Sequence, residues 1–336
     1  MEKTSHGNRI SMKEFLPYLF FAAVIVGMAL LITRGGFLYG SKLDWNSQDY
    51  RIPEYFRMMF YHTGNIFQSF DLNTGAGQDV YDLAYYGYLS PVILISYLLP
   101  FMTMKTYIMS AAMICVFVST ALIYKWFVVK YSPRTAVICA LLFELASPML
   151  LQSHRHTMFI LYMPFLILAL MGVEKYIRTG QRLQFVLCTF LMIMCNFFFA
   201  VSACVAVGVF SVYTIKVEMA GKPEKKKVAE LGKVFGNGCI AVLMSQILLL
   251  PVMSLMIESR RANATHYSLS ELIIPDLTNG SMLFGGHYVL LTAVTLAAAA
   301  AGILMHKKGL GFLAGVFLAL SFIPGLTMAL NGMMYM

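Results

Sequence analysis

The chain has 336 residues, 59% of them hydrophobic and only 12% charged, with a mean hydropathy of +0.71 and a formal charge of +9. Soluble domains carry about twice that share of charge, so the composition excludes a soluble enzyme and defines a polytopic membrane protein. Lys and Arg fall in short clusters between apolar runs, which is positive-inside patterning rather than a nucleic-acid-binding surface.

Residues 1–14 are polar and carry Lys3, Arg9 and Lys13, and residues 15–33 have the length and apolarity of a bilayer span. The N-terminus is therefore expected in the cytoplasm. The run is long enough to span and no small-residue cleavage motif follows it, so it reads as a membrane helix rather than a signal peptide.

Residues 34–104 are expected to form a large extracytoplasmic loop. Six of the sixteen acidic residues lie in it: Asp44, Asp49, Glu54, Asp71, Asp79 and Asp82. Asn73-Thr74-Gly75-Ala76-Gly77 is turn chemistry, and Tyr81, Tyr85, Tyr86 and Tyr88 are rings suited to a membrane interface. The run 89–102 is apolar but short and contains Pro91 and Pro100, so it reads as a re-entrant segment. A non-crossing 89–102 puts the basic stretches at 125–134, 175–182, 216–234 and 306–308 on the inside together; a crossing one would put them all outside.

Further spans are expected at 106–128, 135–152, 157–173, 183–195, 197–215, 235–256, 288–305 and 312–330. With the first, they make about nine helices in one all-α transmembrane domain. Ser153-His154-Arg155-His156 then faces the same side as the acidic loop, as does an outer loop at 257–287. That second loop holds Arg260-Arg261 and two glycosylation-type triplets at Asn263 and Asn279, a pattern frequent by chance. The six cysteines fall within or at the end of apolar runs, with no CxxC and no His at ligand spacing, so neither a metal site nor a disulfide framework is indicated.

Two constellations carry chemistry. A carboxylate just beyond a first membrane helix is partly desolvated and suited to general-base work; Asp44 and Asp49 are the candidates. Trp45, Asn46 and Gln48 beside them suit a hydroxyl-rich ligand, and a solvated loop obeying the charge bias is the bland alternative. His154, Arg155 and His156 could grip a phosphate, or simply snorkel into headgroups from a hairpin turn. Glu144 is the one carboxylate in the middle of an expected span and has no assigned role.

The blocks DWNSQDY, TGAGQDVYDLAYYGYLSP, SHRHTMFILYMPFLILALMGVEKYIRTG, MCNFFFAVSACVAVGVF and FIPGLTMALNGMMY, in this order, resemble the bacterial YfhO family of membrane proteins, which belongs among the GT-C type glycosyltransferases. The resemblance implies that Asp44 is the catalytic base acting on an acceptor hydroxyl. It also implies a donor sugar on a polyprenyl (undecaprenyl) phosphate, transfer with inversion, and a cell-envelope polymer such as a teichoic acid as acceptor. Gln48, Asp49, Tyr50, Arg57, His154, Arg155 and His156 are the substrate-binding candidates, with no metal or other cofactor assigned. The bacterial plasma membrane and its lipids are the implied surroundings. Family members extend further, so a C-terminal half is expected to follow or to be supplied as a separate chain. A non-catalytic subunit or a lipid-linked sugar carrier is the competing reading.

Overall fold

A computed structural model describes residues 12–34, 40, 44–74, 77–258 and 309–323, with isolated positions at 270, 273, 300, 301, 303–305, 325 and 326. The outer loop expected at 257–287, with Arg260, Arg261, Asn263 and Asn279, and the span expected at 288–305 lie almost wholly outside the described residues.

The fold is helical. Helix α1 (Met12–Arg34) is followed by a π-helical turn (Trp45–Asp49) and α2 (Arg51–Thr63). A short hairpin, β1 (Phe70–Asp71) antiparallel to β2 (Gln78–Asp79), leads through a 3₁₀ helix (Val80–Tyr86) to α3 (Pro91–Ile95) and another 3₁₀ turn (Ser96–Leu98). Then come α4 (Met104–Val128), α5 (Pro133–Glu144), α6 (Ser147–His154), a 3₁₀ helix (Thr157–Ile160) and α7 (Met163–Thr179). Helices α8 (Leu183–Cys195), α9 (Phe197–Glu218), α10 (Glu224–Met244), α11 (Gln246–Glu258) and α12 (Leu310–Phe322) complete the described chain.

The boundaries follow from capping. The Thr103, Ser132 and Asn196 side chains accept the Thr106, Thr135 and Phe199 amides at the starts of α4, α5 and α9. Gly180, with φ of +76°, closes α7 by donating its amide to the Tyr176 carbonyl.

Among the described residues four helices are long and apolar enough to cross a membrane: Phe15–Arg34, Met104–Val128, Thr157–Thr179 and Phe197–Glu218. Two bent pairs raise that number to six if each is one span. The run expected as a straight span at 135–152 is broken by 56°, because Ala146 is extended and Pro148, lacking an amide hydrogen, restarts the chain as α6. The run expected at 235–256 bends by 76° at Ser245, between α10 and α11. Helix α8, the span expected at 183–195, has 13 residues, about 20 Å, well short of the roughly 30 Å hydrocarbon thickness. Most of the basic loop expected at 216–234 is helical, because α9 runs to Glu218 and α10 starts at Glu224, carrying Lys227–Glu224 and Lys233–Glu230 pairs one turn apart.

The expected loop folds onto the membrane helices instead of standing in solvent. Trp45, Phe56, Tyr81, Tyr88, Ile93 and Tyr97 share one core with Met104 and Ile108 of α4. Tyr81 and Tyr88, expected at an interface, are inside it, and the Tyr88 hydroxyl donates to the carbonyls of Ile66 and Gln68 at 2.9 and 2.7 Å. Residues 89–102 contain no helix longer than the five residues of α3.

At the far end of the bundle, α4, α7 and α9 are tied by charge. Glu174 accepts from Trp126 Nε1 at 2.7 Å and pairs with Lys130 at 2.5 Å and Arg178 at 2.7 Å; Arg178 also reaches Glu218 at 2.6 Å. Three of the basic stretches expected to share one side thus meet at one end.

Helices α7 and α8 pack most closely, at Gly172. A Cβ there would lie 2.7 Å from both the Cα and the amide nitrogen of Phe185, a buried residue of α8. Small residues permit such backbone approach where lipid supplies no hydrophobic drive. Gly172→Ala is therefore expected to push α7 from α8 and cost about 1–3 kcal/mol, read as a lower unfolding midpoint in detergent. Gly208→Ala in α9, where a Cβ meets nothing within 4 Å, is the control and should leave the midpoint unchanged or raise it.

Candidate functional site

The site begins with a clamp. Gly40 has φ of +110°, and its amide donates to the His154 carbonyl at 2.5 Å. The Trp45 indole lies directly against it and is 1% exposed; a Cβ on Gly40 would sit 2.5 Å from Trp45 Cγ. Only glycine tolerates both the dihedral and the approach. The residues after α1 are in this way pinned to the turn that ends α6.

From Trp45 the chain makes a π-helical turn, whose wider ring re-aims side chains and often marks a functional site. Asp44 stands half-buried at its start, and Asp49, 1% exposed, at its end. Tyr50 packs against Trp45 with ring centroids 5.5 Å apart, and the Arg51 guanidinium lies 5.0 Å over the Tyr50 ring. Gln48 accepts a hydrogen bond from the Tyr86 hydroxyl, which joins the turn to the Val80–Tyr86 helix.

The electrostatics link these segments. Burial, and then the charge of Asp44, pushes the Asp49 carboxyl up from 3.8 to about 6. Burial, then Tyr86, Asp49 and Asp44, pushes the Tyr85 hydroxyl up to about 12. His156 is held below its ordinary value, first by burial and next by Arg155, with Asp44 opposing and His154 adding to the effect. Asp44 thus lies near enough to act on Asp49, Tyr85 and His156, which brings the first acid of the loop beside the His154–Arg155–His156 run.

Around them stands an aromatic wall. Tyr85 packs on Phe159 and Phe198 at 4.8 and 5.3 Å, Phe159 on Phe199 at 5.5 Å, and Tyr162 lies parallel to Phe199 at 5.8 Å. His156 reaches the same wall through Phe159 at 5.9 Å. Within these segments five buried polar atoms have no hydrogen-bond partner: Trp45 Nε1, Asp49 Oδ2, Gln152 Oε1, His156 Nδ1 and Thr157 Oγ1. Buried polar groups are nearly always satisfied, so such a concentration needs an explanation.

Other expected residues have different surroundings. His154 engages the Leu150 carbonyl through Nδ1 and Gly40 through its own carbonyl, so it holds the turn in place. Arg155 is exposed beside it. Arg57 is 6% exposed on α2, where it donates to the Met102 carbonyl at 2.9 Å and acts electrostatically on Tyr97. These partners secure the α3 segment rather than the acids. Among the described residues no three His, Cys, Asp or Glu side chains are grouped to hold a metal. Sequence reasoning missed Tyr85, Gln152, Thr157 and the Phe198–Phe199 pair; the clustered tyrosines at 81–88 were the available signal, but they were read as interface residues.

Long apolar helices, a bundle with an acid-bearing end and a basic end, and a loop folded into the core define a multi-pass α-helical membrane protein. The family model for the bacterial membrane protein YfhO matches residues 15–336, and the chain belongs to that family. No curated protein matches it.

The buried acid makes a prediction. Below pH 4 Asp49 is protonated in folded and unfolded chains alike; between pH 4 and 6 only the folded chain keeps the proton; above pH 6 the fold carries a buried charge. Stability conferred by the bound proton is therefore lost as pH rises through this window, by about 3 kcal/mol at most. Asp49→Asn should match the parent at pH 4 and exceed it at pH 8 by about 1–3 kcal/mol, measured as unfolding midpoints in detergent across that range.

Proposed function

We propose that the protein is a membrane glycosyltransferase that moves a sugar from a polyprenyl (undecaprenyl) phosphate to a cell-envelope acceptor, a teichoic acid or another surface glycan, on the outer face of the bacterial plasma membrane. The observation that carries this reading is the set of orphaned buried polar atoms, from Trp45, Asp49, Gln152, His156 and Thr157, in the segments around Asp44. Amides, hydroxyls and an indole N–H set among aromatic faces are the groups that bind sugar hydroxyls and rings. The basic end that joins Lys130, Arg178 and Glu174 is the cytoplasmic one under the positive-inside bias, which puts the acid end outside.

In the proposed step Asp44 takes the proton of the acceptor hydroxyl as its oxygen bonds to the anomeric carbon from the face opposite the phosphate. The anomeric carbon–oxygen bond breaks, its electron pair leaves on the polyprenyl phosphate, and the configuration inverts. Arg155 offsets the charge developing on that phosphate, and His156, held towards its neutral form, donates a hydrogen bond to it. Asp49, whose proton affinity is raised, receives or returns the proton at Asp44. Gln48 and Tyr50 orient the sugar.

The two broken spans favour a second reading. Discontinuous helices are the usual construction of carriers, and α5–α6 and α10–α11 have that form; a lipid-linked sugar carrier, or a subunit serving another enzyme, would use them.

The test is transfer of radiolabelled sugar from a panel of undecaprenyl-phosphate sugars to envelope material, in membranes holding this chain. Transfer that falls by about 10²–10⁴-fold in Asp44→Asn is the expected result. Transfer that is indifferent to Asp44→Asn removes Asp44 as the base. Absence of transfer with every donor, together with movement of the labelled lipid between leaflets, replaces the transferase by the carrier.

A further inference from the structure

Glu144 stands apart from the site described above. It is the last residue of α5, is 3% exposed, and neither of its carboxylate oxygens has a hydrogen-bond partner. The Thr120 hydroxyl on α4 is the one donor that approaches it, and that hydroxyl also donates to the Val116 carbonyl of its own helix at 3.0 Å. A buried carboxylate left without a counter-charge costs several kcal/mol, and one inside a membrane domain is expensive enough to imply a use.

A cavity of about 30 Å³ lies beside Glu144, room for about two waters by the usual measure. It lies between α1 and the broken α5–α6 pair: Ile25 and Met28 line it from α1, Met113 and Val116 from α4, and Leu150 and Ser153 from α6. Glu144 is the one titratable residue in that lining, and no Lys, Arg or His joins it from α1, α4, α5 or α6. Glu144 and Ser153, near opposite ends of α6, are the polar residues of the lining, and the Ser153 hydroxyl donates to the Leu150 carbonyl at 3.0 Å. Ser153 precedes His154, whose carbonyl is clamped to Gly40, and the turn then continues to His156. With no counter-ion and no group of side chains to hold a metal, the partner that fits is a proton carried by water.

We propose that Glu144 and the cavity beside it form a proton-binding site inside the membrane domain, in which water connects the carboxyl through Ser153 to the turn bearing His154 and His156. The break between α5 and α6 creates the site. A continuous helix would carry the chain past Leu145 without a bend, whereas the 56° turn lets Glu144 and Leu145 from one side of the break and Leu150 and Ser153 from the other line the same space. The site stands whether or not the chain transfers a sugar.

A hydrophobic carbodiimide, dicyclohexylcarbodiimide, tests it on the full chain in membranes. A protonated carboxyl adds its O–H across the N=C=N unit, and the O-acylisourea rearranges to a stable N-acylurea with nothing leaving. Label is expected on the peptide containing Glu144, with incorporation falling as pH rises and lost in Glu144→Gln. That variant keeps size and neutrality, and its monodispersity in detergent confirms that it folds. Infrared difference spectra of parent against Glu144→Gln then report water access: a protonated-carboxyl band assigned to Glu144 should shift promptly in D₂O, and more slowly in Ser153→Leu, which fills the path. No label on Glu144 between pH 5 and 9, equal label in parent and variant, or a Glu144 band that does not exchange in D₂O would each overturn the proposal.

Discussion

Everything at the acid end rests on one close contact, the seating of Trp45 beneath Gly40. The indole occupies the space where any other residue at position 40 would place its Cβ, and the Gly40 amide is thereby left to reach the His154 carbonyl. One hydrogen bond and one buried ring join Gly40 and the π-helical turn just after it to the end of α6, far along the chain. Asp44 and Asp49 flank that ring, so their position relative to His156 is a consequence of its burial. The π-helical turn then lets Asp44 remain half-buried while Asp49 goes fully under. Two carboxyls five residues apart thus acquire different environments, and burial raises the proton affinity of Asp49.

The loop is structural as much as it is functional. Its buried rings and α3 insert among α4 and the Thr157–Ile160 helix, and the hydroxyls they take inward are satisfied by backbone, as with Tyr88 on Ile66 and Gln68 and Tyr107 on Val92. Arg57 does the same for the free carbonyl at Met102. Asp71 organises the hairpin, accepting from the Tyr55 and Thr74 hydroxyls and the Asn73 amide. Other buried polar atoms have no partner, Arg57 Nε and Ser90 Oγ among them, and around Asp44 so do atoms of Trp45, Asp49, Gln152, His156 and Thr157.

Composition was sufficient for the class, because a bilayer leaves few charges in any chain that crosses it repeatedly. The grouping of Asp44 with His154–His156 was also legible, since counting helices fixes which connections share a side. What hydropathy does not encode is direction within an apolar run. Residues 135–152 are as greasy as a straight span, and only Ser147-Pro148 hints at the bend; the turn at Ser245 has no comparable marker. The tyrosines at 81–88 were misread for a related reason. An aromatic with a hydroxyl suits an interface and a backbone-satisfied core equally well, and the partners that decide for Tyr88 lie about twenty residues away. Likewise Asp49 and Asp44 look equivalent in a one-dimensional string. The difference between them arises from burial against residues that precede or follow by dozens of positions.

The charge cluster at the far end has a consequence for how the protein is made. Glu174 enters the membrane domain on α7 with Arg178 one turn behind it on the same helix, and Lys130 has already been delivered at the end of α4. Glu218, synthesised later on α9, finds Arg178 waiting. Glu174, Arg178 and Glu218 therefore each meet an opposite charge already in place, in the order of translation. The bundle can be assembled helix by helix without passing through a stage in which a lone ion must be hidden from water.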